Sequence, residues 1–300
     1  MLFKGCGTAM VTPFQNDGSL DESTLRFLVK RQIAEGINFL VPCGTSGESP
    51  TLTHKEHLRV VEITLEEAKG RVPVLAGAGG YNTAEVIELA KELKTMGVDG
   101  ILSVTPYYNK PTQEGLYQHY KAIASAAKLP IIVYSVQGRT GVNVEPATLK
   151  RLSEIEYIVG VKEASGNVVQ MASIVNQVPS DFAVLSGDDA LTIPLIALGG
   201  HGLVSVISNE LPAEMTILVQ RALAQNFEGA REIQRKYFPL MEVNFVESNP
   251  IPVKAAMALM GLLKPVWRLP LCAPSAANQA KIEKVLESLG LLASRSVHAI

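Results

Sequence analysis

A chain of 300 residues, 47% of them hydrophobic, has material for one large core or two small ones. A net charge of -2 and the lack of any Lys/Arg run argue against a nucleic-acid surface, and the apolar stretches, cut by Gly and Pro, are too short to span a membrane. Three cysteines, Cys6, Cys43 and Cys272, have neither a disulfide nor a zinc-ligand spacing. With no leader-like N-terminus, they suggest a reduced, cytoplasmic setting.

Aromatic residues make up only 6% of the chain, while Ala, Val, Leu, Ile and Gly abound, which suits a parallel sheet covered by helices. Strand-like runs are predicted at 7–11, 39–43, 72–76, 100–104, 131–135, 158–162, 183–186 and 202–206. Segments of helical period lie between them, with Leu25, Leu28, Val29, Gln32 and Ile33 on one face and Val86, Leu89, Ala90 and Leu93 on another. Spacings of about 30 residues match a βα unit, and eight units predict a (β/α)8 TIM barrel, an α/β fold. The last interval is short, so its helix must be brief. An open doubly wound sheet would need a Gly-rich dinucleotide turn after an early strand, and Gly77-Ala78-Gly79-Gly80 lacks that spacing. Helices at 210–226, 227–246, 252–263 and 276–289 follow, the first closing the barrel and the rest forming a C-terminal helical appendage. This divides the chain into a barrel, 1–224, and a helical region, 225–300, whose tail from residue 293 has no strong pattern and is expected to be mobile.

Chemistry in such barrels sits where strands end. The second strand runs into Gly44-Thr45-Ser46-Gly47-Glu48, whose hydroxyls and backbone N–H groups can hold a carboxylate or simply form a capped loop. The fourth runs into Thr105-Pro106-Tyr107-Tyr108, and the fifth into Tyr134-Ser135-Val136-Gln137-Gly138-Arg139. The sixth ends at Lys162. Burial disfavours an ammonium, so such an amine can attack a ketone, or it can instead pair with a carboxylate. The seventh ends in Ser186-Gly187-Asp188-Asp189, whose carboxylates are expected to cap the next helix rather than hold Mg²⁺. His54 and His57 lie three apart with no carboxylate or cysteine to complete a metal set, so no metal is expected; both can be surface residues. His119 is expected to be exposed, and His201 to belong to the turn before the last strand.

The strings GTSGE, TPYYNKP, YSVQGRTG, GVKEASG and LSGDD, with FVESNPIPVK late in the chain, resemble the dihydrodipicolinate synthase branch of the pyruvate-dependent class I aldolase and lyase superfamily, from about residue 3 to about residue 292. The resemblance implies a lyase of the diaminopimelate/lysine pathway that needs no cofactor. Lys162 would form a covalent imine with pyruvate, and the derived enamine would attack L-aspartate 4-semialdehyde, giving 4-hydroxy-tetrahydrodipicolinate. It implies a proton relay of Tyr134, Thr45 and Tyr108, a pyruvate-carboxylate site at Thr45 and Ser46 lined by backbone of Gly187 and Val204, and Arg139 for the aldehyde's carboxylate.

By the same resemblance, Tyr107 packs across a tight-dimer interface and the assembly is a homotetramer, a dimer of dimers. Ser49, His54, His57, Glu85 and Tyr107 would face a lysine-binding pocket, with Tyr81 where inhibited relatives carry Asn. Ser135 and Gln137 depart from the family's common Asn and Pro, and Ser46 from its commoner Thr; the first two bear on the segment that carries Arg139. A sister aldolase acting on N-acetylneuraminate or a 2-keto-3-deoxy sugar acid, and a non-catalytic binding protein on the same barrel, are the competing readings.

Overall fold

Short β-branched runs that are buried on two faces pair along both edges, and here they do so in parallel. In the computed structural model, residues 1–292 are described, and the 293–300 tail lies outside the described residues. Strands and helices alternate as β1 (Gly5–Ala9), α1 (Glu22–Ala34), β2 (Phe39–Val41), α2 (His54–Ala68), β3 (Leu75–Gly77), α3 (Thr83–Met96), β4 (Gly100–Val104), α4 (Gln113–Ala127) and β5 (Ile131–Ser135). Then come α5 (Gln137–Thr140), α6 (Pro146–Ser153), β6 (Ile158–Glu163), α7 (Val168–Gln177), β7 (Ala183–Ser186), α8 (Thr192–Ala197) and β8 (Gly202–Ser205). The helices α9 (Pro212–Leu223), α10 (Phe227–Val243), α11 (Ile251–Leu259) and α12 (Ala276–Ser288) complete the chain.

The parallel ladder runs β2-β1-β8-β7-β6-β5-β4-β3. Its two ends meet through the Leu40–Val74 bridge and the bonds Leu40 N–H to Pro73 O and Gly77 N–H to Pro42 O, each 2.9 Å, so the sheet closes into the expected barrel. This seam is narrow because of its prolines. Pro42 ends β2, since it has no N–H for the ladder. Pro73 delays β3 beyond the predicted 72–76 run, and Val74 N–H is taken by the Asp99 carboxylate at 2.8 Å. Gly77 permits the close approach, because a Cβ there would lie 2.0 Å from Cys43 O.

Two apolar layers result. One fills the space between strands and helices, with Val133, Val161 and Val184 from the sheet and Leu25, Val60 and Leu116 from the helices. The other fills the barrel interior, with Phe3, Phe39, Leu75, Ile132, Tyr134 and Leu185. Several helix starts are fixed by side-chain caps, including a reciprocal Thr53–Glu56 capping box on α2 and Asn82 on α3. The brief helix expected before the last strand is α8. Helix α9 lies against β1 and β8, as expected of a closing helix, and α10 packs on α9 and α12. No helix among the described residues is long and apolar enough to cross a membrane.

Candidate active site

Alternation along β6 decides where Lys162 points. Its register partners are Tyr134 on β5 and Leu185 on β7, both interior residues, so Lys162 faces the barrel axis near its C-terminal mouth. It is 4% exposed, and its Nζ lies 4.3 Å from the centroid of the Tyr134 ring. Glu163, one residue on, faces outward and accepts from Gln170 Nε2 at 2.8 Å and from the Ser165 N–H; burial pushes its carboxyl up. Among the described residues no carboxylate forms an ion pair with Lys162, so the paired-lysine alternative is not realised there.

Lys162 opens into a cavity of about 120 Å³ shared with Thr45, Ser46, Tyr134, Arg139 and Gly187. A Cβ on Gly187 would stand 3.1 Å from Lys162 Cε and 2.6 Å from Ala164 Cβ, so this glycine keeps space beside the amine. Thr45, Tyr134, Arg139 and Asn249 also border a larger cavity of about 320 Å³, with Ser49 and Tyr107 on its wall. The inner site thus continues into a wider, mostly apolar entrance. On β8 the expected Val204 is fully buried in the interior layer, and Val206 borders the inner cavity.

The loop from Gly44 to Glu48 is fixed from several sides. Cys43 and Glu48 hold left-handed backbone angles, and Thr12 Oγ1 donates to Gly47 O at 2.7 Å. Glu48 is buried and meets Lys254 Nζ at 2.5 Å, and its second oxygen accepts the Arg268 N–H at 3.3 Å. Burial pushes the Lys254 amine down while Glu48 raises it. The Lys254 and Arg268 cations sit over the Phe14 ring at 4.4 and 4.3 Å. Arg268 also forks onto both oxygens of Glu56, at 2.8 and 2.5 Å, which holds that carboxyl down to about 2. Arg139 lies on the four-residue turn α5, and its Nη2 donates to Asn249 O at 3.1 Å. Ser135 faces the outer layer, where its Oγ accepts the Val144 N–H at 3.1 Å.

Tyr108 lies apart from this assembly. It is 91% exposed, has φ of 65°, and borders neither cavity. Tyr107 beside it stands edge-on to Tyr81, ring centroids 5.2 Å apart, and burial pushes its phenol up, helped by Tyr81 and Glu85. The other candidates for a lysine pocket disperse. His54 bonds Glu92 at 2.9 Å, Glu85 accepts from Asn82 Nδ2 at 2.8 Å, and His57 turns inward onto Gly77 O at 2.9 Å.

Three expectations are corrected. His57 is no surface residue, since α2 packs it against β3 and burial pushes its imidazole down. His119 is only 6% exposed; its Nδ1 meets Thr83 Oγ1 at 2.9 Å, and burial pushes it down to about 4. Asp189 does not cap α8, which starts without a side-chain cap. The Ser205 hydroxyl and the N–H groups of Val206 and Ile207 converge on it at 2.6, 3.1 and 3.3 Å where β8 ends. Burial still pushes the Asp189 carboxyl up to about 6. Asp188 alone serves the local turn, accepting the Ala190 N–H at 2.8 Å. His201 belongs to the turn as expected, its Nδ1 accepting the Val184 N–H.

Reading the sequence missed Asn249, which borders both cavities, and the Glu48–Lys254 pair. The only local signal was the Asn-Pro dipeptide, which marks a turn and no partner.

The Dihydrodipicolinate synthetase family profile matches residues 2–289. The 4-hydroxy-tetrahydrodipicolinate synthase of Koribacter versatilis (strain Ellin345) is 52% identical over 298 residues, covering 99% of each chain. The crystal structure of dihydrodipicolinate synthase from Thermotoga maritima aligns with a TM-score of 0.95 at 46% identity, over 97% of this chain and 100% of that one. That of the chloride-inhibited dihydrodipicolinate synthase from Acinetobacter baumannii, complexed with pyruvate, aligns with a TM-score of 0.95 at 42% identity, over 96% and 99%.

Proposed function

Because the chain belongs to the dihydrodipicolinate synthetase family, we propose that it condenses pyruvate with L-aspartate 4-semialdehyde to 4-hydroxy-tetrahydrodipicolinate, as a cytoplasmic lyase. The observation that carries the chemistry is a buried lysine with no ion-pair partner among the described residues, set over a tyrosine ring and open to a small cavity. Lys162 Nζ adds to the ketone carbon of pyruvate and water leaves, giving an imine. Loss of a methyl proton makes the enamine, whose carbon attacks the aldehyde. The substrate's amino group then displaces Lys162 from the imine carbon, closing the ring and freeing the enzyme, so no added cofactor is required.

Tyr134 and Thr45 border the cavity with Lys162 and carry protons between these steps. Thr45 and Ser46 hold the pyruvate carboxylate, with backbone of Gly187 and the end of β8 nearby. Arg139, which borders both cavities, takes the carboxylate of the aldehyde. Tyr108 is exposed and borders neither cavity of its own chain, which supports a site completed by the partner subunit's Tyr108 within a homotetramer, a dimer of dimers. A lysine effector next to that interface would meet Tyr107 and Ser49, which border the larger cavity, and Tyr81, whose ring stands against Tyr107; Glu85, His54 and His57 would have to leave their present partners to join them.

Reduction with borohydride tests the central step. Pyruvate plus borohydride is expected to add mass irreversibly at Lys162, and Lys162→Ala to abolish it. Labelling at another lysine would sink the mechanism. Comparing kcat/KM for aspartate semialdehyde and for sugar aldehydes then fixes the second substrate.

A further inference from the structure

The segment between α10 and α11 reaches the barrel mouth, where Asn249, 5% exposed, borders both cavities. Its Nδ2 donates to Ser46 Oγ at 3.0 Å, across 203 residues of sequence. Its backbone oxygen accepts from Arg139 Nη2 at 3.1 Å. One residue therefore touches both groups assigned to substrate carboxylates: the Ser46 hydroxyl through its side chain, and the Arg139 guanidinium through its main chain.

A serine hydroxyl has one proton to give and lone pairs to accept with. In Ser46 a lone pair is taken by the Asn249 amide, and no protein acceptor for the Ser46 proton is found among the described residues. Ser46 is 1% exposed yet borders the Lys162 cavity, so its proton has the cavity to point into. Serine also lacks the second Cβ substituent that stiffens χ1 in threonine, so its hydroxyl has three staggered wells to choose from. The Asn249 amide selects one of them.

The geometry points to Asn249 as the positioning residue of the pyruvate site: its amide fixes the Ser46 hydroxyl as a donor to the substrate carboxylate. This rests on the function proposed above. Asn249 acts through Ser46 and is a positioning residue, not a catalytic one.

The consequence is a split between the two substrates. Asn249→Ala removes the amide and leaves the main-chain bond to Arg139. The pyruvate concentration for half-maximal borohydride labelling of Lys162, and KM for pyruvate, should rise roughly three- to tenfold, the worth of one neutral hydrogen bond. KM for the aldehyde should stay within about twofold of wild type. Asn249→Asp, nearly the same size, should raise KM for pyruvate further, because its carboxylate takes the Ser46 proton and repels the substrate. Adding Ser46→Thr to Asn249→Ala should recover part of the loss, since a branched Cβ restores a preferred χ1. A merely structural role would move both KM values together and gain nothing from threonine. Unchanged pyruvate dependence in both Asn249 variants, or equal rises for both substrates, overturns the inference. Wild-type protein that fails to label with pyruvate overturns the proposed function and this inference together, whereas normal wild-type labelling with an unmoved Asn249→Ala curve overturns this inference alone.

Discussion

Asp189 is a residue whose charge works against the fold. Its unfolded pKa is near 3.9, whereas burial pushes the folded value up to about 6. Below about pH 4 both states hold the proton and the group is neutral in the balance. Between about pH 4 and 6 the unfolded chain releases its proton first, so stability falls as pH rises, and above pH 6 the full adverse difference of about 3 kcal/mol is present. Asp189→Asn never ionises. Denaturant unfolding at pH 4 and pH 7 should therefore show that wild type exceeds the variant by more at pH 4 than at pH 7. A gap independent of pH would mean that Ser205, Val206 and Ile207 fully offset the desolvation. The sequence showed two adjacent aspartates but not this difference. Asp188 serves a turn two residues away, whereas the partners of Asp189 arrive from the next strand, 16 to 18 positions on.

Among the elements, the strap from α10 to α12 has the clearest energetic role, because it brings a lysine and an arginine onto the Gly44–Glu48 loop. Lys254 and Glu48 have no exposed side-chain surface. Such a pair need not stabilise more than an apolar pair would, but removing one partner strands a buried charge. Lys254→Met should cost about 3–5 kcal/mol in urea unfolding, and adding Glu48→Gln should recover a good part of it. A loss below about 1 kcal/mol in the single variant would show that Glu48 finds other compensation.

The sequence showed the elements themselves well. β4, β5 and β7 run where β-branched periodicity predicted them; among the strands only the Pro42–Pro73 seam displaced an expected boundary by more than two residues, whereas α9, α10 and α11 each end three or four residues before the predicted stop. It could not show the ties between them. Lys254 sits in an apolar helix whose pattern says core, and Glu48 lies 206 residues away. That Lys162, Tyr134 and Thr45 would meet at one cavity was legible because barrel geometry sends strand ends to one place, although their roles were implied only by the resemblance. Asn249 was not, because a loop from the appendage obeys no such rule.

At the scale of the whole molecule, a single chain leaves Tyr108 in solvent. If the partner subunit's Tyr108 completes each site, two crippled chains can repair one another. Tyr108→Ala and Lys162→Ala should each be nearly inactive alone. Unfolded together and refolded as a mixture, half of the two-fold dimers are mixed, and each of these holds one site with both groups intact. Activity of about a quarter of wild type is then expected. Activity no greater than the sum of the separate variants would place Tyr108 in its own chain's site.

The tie between Ser46 and Asn249 spans 203 positions, and Arg268 grips Glu56 across 212. A ribosome delivers the chain from its N-terminus, so the Gly44–Glu48 loop emerges long before the residues that discipline it. A product cut short at residue 224 would carry the amine, the phenol of Tyr134 and the loop hydroxyls, and still lack the donor that aims Ser46 and the cations that anchor Glu48. A complete site therefore waits until Asn249, Lys254 and Arg268 have been made, long after the loop they hold.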